Sequence, residues 1–201
     1  MSERFNQAAP DWDKGDLRQN IAHAVFQTII SRIALLKGMN IMDFGAGTGL
    51  LSFKIAPMVN QVVGVDLSEK MLEQLASKNT PELQVTPLYH DILTTPLDQQ
   101  FHGIVSSMAM HHVEDTAELF RAFYDHLKRD GFIAIADLEA EDGTFHSHGN
   151  EGVHHFGFER DALRTTIEKA GFCNVRFHHA YTVEREDQNY PIFLLTASKN
   201  S

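Results

Sequence analysis

The sequence predicts an α/β fold, a doubly wound and mostly parallel sheet of seven strands that ends in an antiparallel hairpin. Three observations carry this prediction. Short apolar runs alternate with segments whose apolar residues recur at helical spacing. A glycine-rich loop, Gly45-Ala-Gly-Thr-Gly49, joins the first run to the segment after it. The last two apolar runs are separated by a polar loop, residues 184–189, with no room for a helix between them.

Residues 1–16 contain Pro10 and Gly15, show little periodicity and read as a polar arm. Ile21, Val25, Ile29, Ile33 and Leu36 then fall on one face of a helix, and Gly38 stands where a C-terminal cap would be. Residues 40–44 form the first strand, followed by the glycine loop and a helix to about Ala56, which Pro57 ends. Residues 61–65 are the second strand; Ser68 caps a helix carrying Met71, Leu72 and Leu75. Residues 83–89 are the third, placed at an edge because Pro87 cannot donate to a ladder. Residues 103–107 are the fourth, and a helix over 116–128 presents Leu119, Phe120, Phe123 and Leu127. The fifth, 132–138, is nearly all apolar, as a strand covered on both faces should be. Residues 139–158 are irregular, acidic and rich in histidine. A helix over 160–170 and two strands, 175–179 and 191–197, complete the chain.

At 201 residues the chain is one domain, 1–201, with a sizeable core. Lys and Arg number 17 against 27 Asp and Glu, a net charge of −10 that argues against nucleic acid or an anionic membrane as partner. One cysteine, Cys173, excludes an intramolecular disulfide and an all-cysteine metal site. The polar start and the lack of a long apolar run lead to the expectation of a soluble, cytoplasmic protein that does not meet a membrane; monomer and homodimer are both open.

The loop spacing is G-x-G-x-G, and Leu50 stands where a dinucleotide fingerprint wants Gly or Ala. Asp43 opens the loop, where a carboxylate would repel a pyrophosphate and attract an ammonium. Asp66 ends the second strand and could accept hydrogen bonds from both hydroxyls of a ribose. The ligand these features describe is a nucleoside bearing a positive group, and S-adenosylmethionine (SAM) fits.

Asp43 to Gly49, the run Val62-Val-Gly-Val-Asp-Leu-Ser-Glu-Lys-Met-Leu72, His90-Asp91-Ile92 and Phe101 to Ser107 together resemble the class I SAM-dependent methyltransferases, with their Rossmann-like sheet. The similarity is greatest to the small-molecule branch (methyltransferase types 11 and 12), which includes quinone-biosynthesis enzymes. The resemblance implies that Asp43 and the Ser107 carbonyl lie near the methionine amino group, with the backbone of Gly45, Ala46 and Gly47 under the methionine part. It places Asp66 on the ribose, Leu67 beside the adenine, Met71 on the adenine face, Asp91 at the adenine amino group and the Ile92 amide at a ring nitrogen. One departure is Gly103, where the family commonly has Asp before the fourth strand.

The expected reaction is direct displacement of the SAM methyl group onto a small-molecule acceptor, in which alignment and exclusion of water matter most. The catalytic candidates are His111 and His112 after the fourth strand, as base, as orienters of the acceptor, or as packed core histidines. Segment 139–158 reads as a lid with His146, His148, His154 and His155, or as plain surface loop. Phe145, Phe156 and Phe158 would give a lid its apolar contacts. A divalent-metal site on this segment is the competing reading, disfavoured because neither His146-x-His148 nor His154-His155 has a recognised zinc spacing, so no metal ligands are assigned. Trp12 reads equally as a cap on the site and as an anchor of the arm. The competing functions are a SAM-binding sensor or assembly protein and a nicotinamide-dependent oxidoreductase, the latter disfavoured by Leu50 and Asp43.

Overall fold

A computed structural model describes residues 2–146, 149–185 and 188–200. His148, named above with the loop histidines, lies outside the described residues, as do Glu186 and Asp187 of the hairpin loop.

The first strand, β1 (Asn40–Phe44), pairs in parallel with β2 (Gln61–Asp66) on one side and β4 (Phe101–Ser107) on the other. Next to β2 lies β3 (Val85–Tyr89), at the edge that Pro87 predicts. β5 (Leu127–Leu138) extends the parallel set, and the hairpin β6 (Phe172–Glu184) and β7 (Asn189–Lys199) inserts its second strand antiparallel to β5. The order is therefore β3-β2-β1-β4-β5-β7-β6. The reversal at β1 comes from crossovers that run outward to either side of it, the β7-β6 reversal from the hairpin, and the break between β1 and β4 opens a crevice at the strands' C-terminal ends.

Alternate residues of each central strand feed opposite layers, as the two-residue period of a strand requires. Ile41, Val62, Val105 and Ala134 pack with helices α2 (Asp16–Arg32), α3 (Ser52–Ile55) and α4 (Glu69–Lys78). Met42, Val63, Ile104 and Ile133 pack against α5 (Thr116–His126) and α6 (Arg160–Lys169). Burial on both faces is what makes these strands continuously apolar.

Several boundaries differ from the sequence reading. Residues 2–14 are helical rather than an irregular arm: α1 (Ser2–Ala8) runs into a 3₁₀ turn, Ala9–Lys14. Its regularity is secured by tertiary bonds, since Asn6 Oδ1 accepts from the Ser68 hydroxyl (2.7 Å) and the Lys70 amide (3.2 Å) at the start of α4. α2 stops at Arg32, and Ile33 turns extended with its amide still on the Ile29 carbonyl, so Gly38 is not its cap. Leu36, assigned above to the buried face, is 58% exposed. The hairpin strands are longer than their apolar cores, because β6 is an edge strand whose ladder continues through half-exposed residues and two register shifts.

Candidate functional site

The crevice is a cleft of about 800 Å³ above the C-terminal ends of β1, β2 and β4, within the size range of small-ligand sites. Its floor is the glycine loop. Gly45 and Gly47 take φ of +67° and +54°, a region that L-residues avoid. A Cβ on Gly45 would stand 2.4 Å from that of Ala109, so the β1 loop and the segment after β4 approach as closely as they do only with glycine there. The loop amides of Gly45 and Ala46 donate to the Val65 carbonyl, binding the β1 loop to β2.

Two carboxylates face this floor. Asp43 at the end of β1 is buried, and its Oδ2 accepts from the Ser52 hydroxyl at 2.5 Å. Burial pushes its carboxyl up to about 7; the Ser52 hydrogen bond opposes this and the Asp66 charge adds to it. Asp66 accepts from the Gly47 amide (2.7 Å) and the Ser68 amide (2.8 Å). Burial raises its pKa as well, against the pull of these backbone donors. Each oxygen so engaged keeps a second lone pair for a ligand hydroxyl.

Leu67 (42% exposed), Met71, Asp91 and Ser107 line the same cleft. Met71 is also among the fully buried side chains, so it serves core and cleft together. The Asp91 Oδ1 accepts from the Leu93 amide (2.9 Å), which fixes the turn after β3. Ile92 turns its side chain into the core, leaving only its backbone for the role the resemblance gives it.

The N-terminal helices form the cleft's outer wall. Trp12 and Phe5 line it and meet edge to face at 5.7 Å, and the Arg18 guanidinium lies 3.9 Å over the Trp12 ring. Asp13 accepts from the Thr48 hydroxyl at 2.5 Å, holding this wall against the glycine loop. Trp12 is thus both part of the site and part of an anchored element. Phe5 stood out with Trp12 as the aromatic residues of the polar N-terminal stretch, whereas Arg18 was not singled out and offers no sequence signal.

After β4, the two histidines diverge. His112 lines the cleft, its ring against Phe5 at 5.1 Å, with Nδ1 donating to the Gly152 carbonyl at 2.7 Å. Burial, then the neighbouring His111, depress its pKa to about 4. His111 lies behind it, 1% exposed, with Nδ1 at 2.8 Å from Asp137 Oδ1 and its amide on Oδ2 at 3.1 Å. The expectation of two reaction-centre histidines therefore narrows to one in the cleft wall and one buried behind it. Asp137, fully buried at the end of β5, was not read as a partner of His111, although a lone acid closing the apolar run of residues 132–138 was a usable signal.

The described residues of segment 139–158 fold over this pair. The amides of His154 and His155 donate to the His111 carbonyl, and Arg4 reaches the Gly149 and Glu151 carbonyls. His146 points in, its ring 5.1 Å from that of His111 and 6.0 Å from that of His112. Burial and then the charge of His111 hold its pKa near 4. His154 is exposed, and His155 stacks on Phe158 with Nε2 at the Val113 carbonyl (3.0 Å), so neither faces the cleft. Of the three phenylalanines named above, Phe158 is core, Phe156 is 43% exposed and Phe145 packs on Tyr190. Among the described residues no helix is long and apolar enough to cross a membrane.

The chain is similar to methyltransferases in sequence and shares its fold with solved structures. Residues 41–131 match a family model described as a methyltransferase domain. An uncharacterized methyltransferase of Schizosaccharomyces pombe is 34% identical over 154 residues, which cover 68% of this chain and 54% of that protein. This chain thus spans about half the length of that curated relative. Among solved structures, a protein from Haloferax volcanii in complex with the Trm112 methyltransferase activator superimposes with a TM-score of 0.77 over 98% of both chains, at 20% identity. Phosphoethanolamine N-methyltransferase 2 of Haemonchus contortus, in complex with phosphomonomethylethanolamine and S-adenosylhomocysteine, gives 0.71 over 88% of this chain and 52% of that one, at 18% identity.

Proposed function

The chain belongs to the class I SAM-dependent methyltransferases, and from that membership we propose that it binds SAM in the cleft and transfers its methyl group to a small-molecule acceptor. One observation carries the reading: two carboxylates, Asp43 and Asp66, flank a glycine floor whose positive-φ residues leave no side chain between ligand and backbone. These residues fit the cofactor. A cationic amino group satisfies Asp43, and the free lone pairs of Asp66 suit a ribose diol. Asp91, Leu67 and Met71 offer an acceptor and apolar surface for an adenine.

When bound, SAM supplies an electrophilic methyl group on a sulfonium. The protein's part is to orient and to exclude water. Phe5 and Trp12 close the outer side, and Met108, Ala109 and His112 stand at the acceptor end. His112 is a neutral ring at physiological pH, since its pKa is near 4. With Nδ1–H on the Gly152 carbonyl, its Nε2 is an acceptor that can orient a donor group on the substrate; a base of that pKa is a poor proton abstractor near pH 7. The size of the cleft, about 800 Å³ with Phe5 and Trp12 in its outer wall, supports a small acceptor over a macromolecular one.

The test is methyl-labelled SAM with cell extract separated by size. Label appearing in the small-molecule fraction with wild type, and not with Asp66→Ala, supports the proposal. Label confined to protein or nucleic acid refutes the acceptor class, and absence of SAM binding by calorimetry refutes the whole reading.

A further inference from the structure

His111, His112 and His146 come from two segments separated by more than thirty residues, yet one nitrogen of each lies within 4.8 Å of the others. Among the described residues they form the group of three potential ligands gathered in this way. Two atoms in it have no protein partner despite being buried: His111 Nε2 and His146 Nδ1. An orphaned nitrogen on a ring that is 1% exposed calls for a physical reason, because buried polar atoms are almost always satisfied.

The outer contacts of two of the rings, His111 and His112, point to that reason. Nδ1 of His111 faces the Asp137 carboxylate, and that carboxylate also accepts the amides of His111 and Leu138. Nδ1 of His112 is spent on the Gly152 carbonyl. His111 and His112 thereby keep their protons on Nδ1 and turn a bare Nε2 lone pair away from their anchors, while the buried open nitrogen of His146 is Nδ1. A carboxylate or backbone carbonyl behind a ligating imidazole is the usual outer support of a zinc-bound histidine. Asp137 supplies the negative charge at this cluster, against the cations Arg4 and Arg185, and imidazole ligands suit zinc, copper, nickel and iron.

We propose that His111, His112 and His146 form a three-histidine site for a divalent cation of the zinc type, with Asp137 orienting His111 from behind. At metal–nitrogen bonds of about 2.0–2.1 Å a tetrahedral site needs nitrogens about 3.4 Å apart. The rings must therefore draw together by about 1.4 Å at most, from the 4.8 Å limit. His146 can supply that movement, since it sits on an irregular segment and is held by ring contacts with Phe145 and the other two histidines. Three protein ligands leave a coordination position open. His112 belongs to the cleft wall as well, so a bound cation takes its Nε2 lone pair in place of a substrate hydrogen bond, adjoins the acceptor end and suits an acceptor that carries an oxygen or sulfur donor. The place beside an acceptor rests on the methyl-transfer reading; binding of the cation does not. The histidines were not legible as a site from their spacing because His111 and His112 are adjacent, pointing different ways, and His146 lies more than thirty residues further on.

The experiment titrates chelator-treated protein with zinc against a chromophoric competitor, and with cobalt(II) for its visible spectrum, in the absence of SAM. The expected result is one equivalent of zinc and the intense cobalt bands of a four-coordinate site. His146→Ala, on the half-buried segment, should weaken binding at least tenfold, and Asp137→Asn about ten- to a hundredfold. His23→Ala, an exposed histidine on α2, should leave both readouts unchanged. Failure of the wild type to bind one equivalent, or binding undiminished in a folded His146→Ala protein, overturns the proposal, as does an equal loss in His23→Ala. S-adenosylhomocysteine calorimetry on the same metal-free samples reports separately on the cofactor reading.

Discussion

On the proposed cofactor reading, Asp43 should make the cleft's affinity for an amino-bearing ligand depend on pH. In the free protein its carboxyl titrates at about 7, chiefly because it is buried. An ammonium placed beside it favours the charged form, so binding must first remove the proton at lower pH. The apparent dissociation constant then scales as one plus ten to the power of pKa minus pH. With a pKa of about 7, that factor is about 33 at pH 5.5 and about 2 at pH 7. Affinity for S-adenosylhomocysteine should therefore rise about 16-fold between these two pH values, equivalent to roughly 1.6 kcal/mol. Asp43→Asn, which keeps a partner for Ser52 and removes the titration, should bind about ten- to a hundredfold more weakly at pH 7 and lose the excess slope. Its stability should move the other way. A folded pKa above the unfolded 3.8 means that the folded state holds the extra proton between about pH 4 and 7. The wild type's stability contribution from this group is full below pH 4 and is lost as pH rises through 7. Asp43→Asn should consequently resist the rise from pH 5 to 8 better in thermal melts. Calorimetry at four pH values checks the first part. A wild-type affinity that stays flat from pH 5.5 to 7, or an identical slope in Asp43→Asn, would refute the argument.

Three other outcomes follow from contacts in the cleft and beneath it. Asp66→Ala removes the acceptor of the Gly47 and Ser68 amides along with the ribose partner, and should weaken S-adenosylhomocysteine binding by at least 30-fold, about 2 kcal/mol; calorimetry measures it. Trp12→Ala should raise the dissociation constant about fivefold, near 1 kcal/mol, because Trp12 Nε1 lies within 4.0 Å of where a Cβ on Gly47 would be; an unchanged constant would make Trp12 an anchor only. Gly103→Asp, which restores the acid common in the family, should lower Tm by several degrees, since its Cβ would lie 2.2 Å from the Phe132 ring. Combining it with Phe132→Ala should cost at least about 1 kcal/mol less than the sum of the two single changes; strict additivity would mean that this clash is not the reason for glycine.

Gly103 shows how far sequence reasoning reached and where it stopped. The departure from the family pattern was visible in the chain, but its cause, the Phe132 ring on the next strand, is a contact across β4 and β5. The same limit explains the N-terminal residues. Low periodicity made them look like an arm, yet Asn6 and Asp13 tie them to α4 and the glycine loop through side-chain bonds that no local pattern records. The Ser68 cap on Met71 was legible because its donor and acceptor are three residues apart.

By itself, the sequence determined the alternation of strands and helices, the glycine floor, and the acids Asp43, Asp66 and Asp91 at three successive strand ends. These are signals of short range: a period of two or of 3.6, a turn, or a cap. Tertiary structure alone decided that Asp137 backs His111, that His112 and not His111 faces the cleft, and that His146 crosses more than thirty residues to join them. The physical reason is that such groups are brought together by strand order and by a loop folding back over the sheet. Their proximity is set by burial and by backbone hydrogen bonds, not by spacing along the chain.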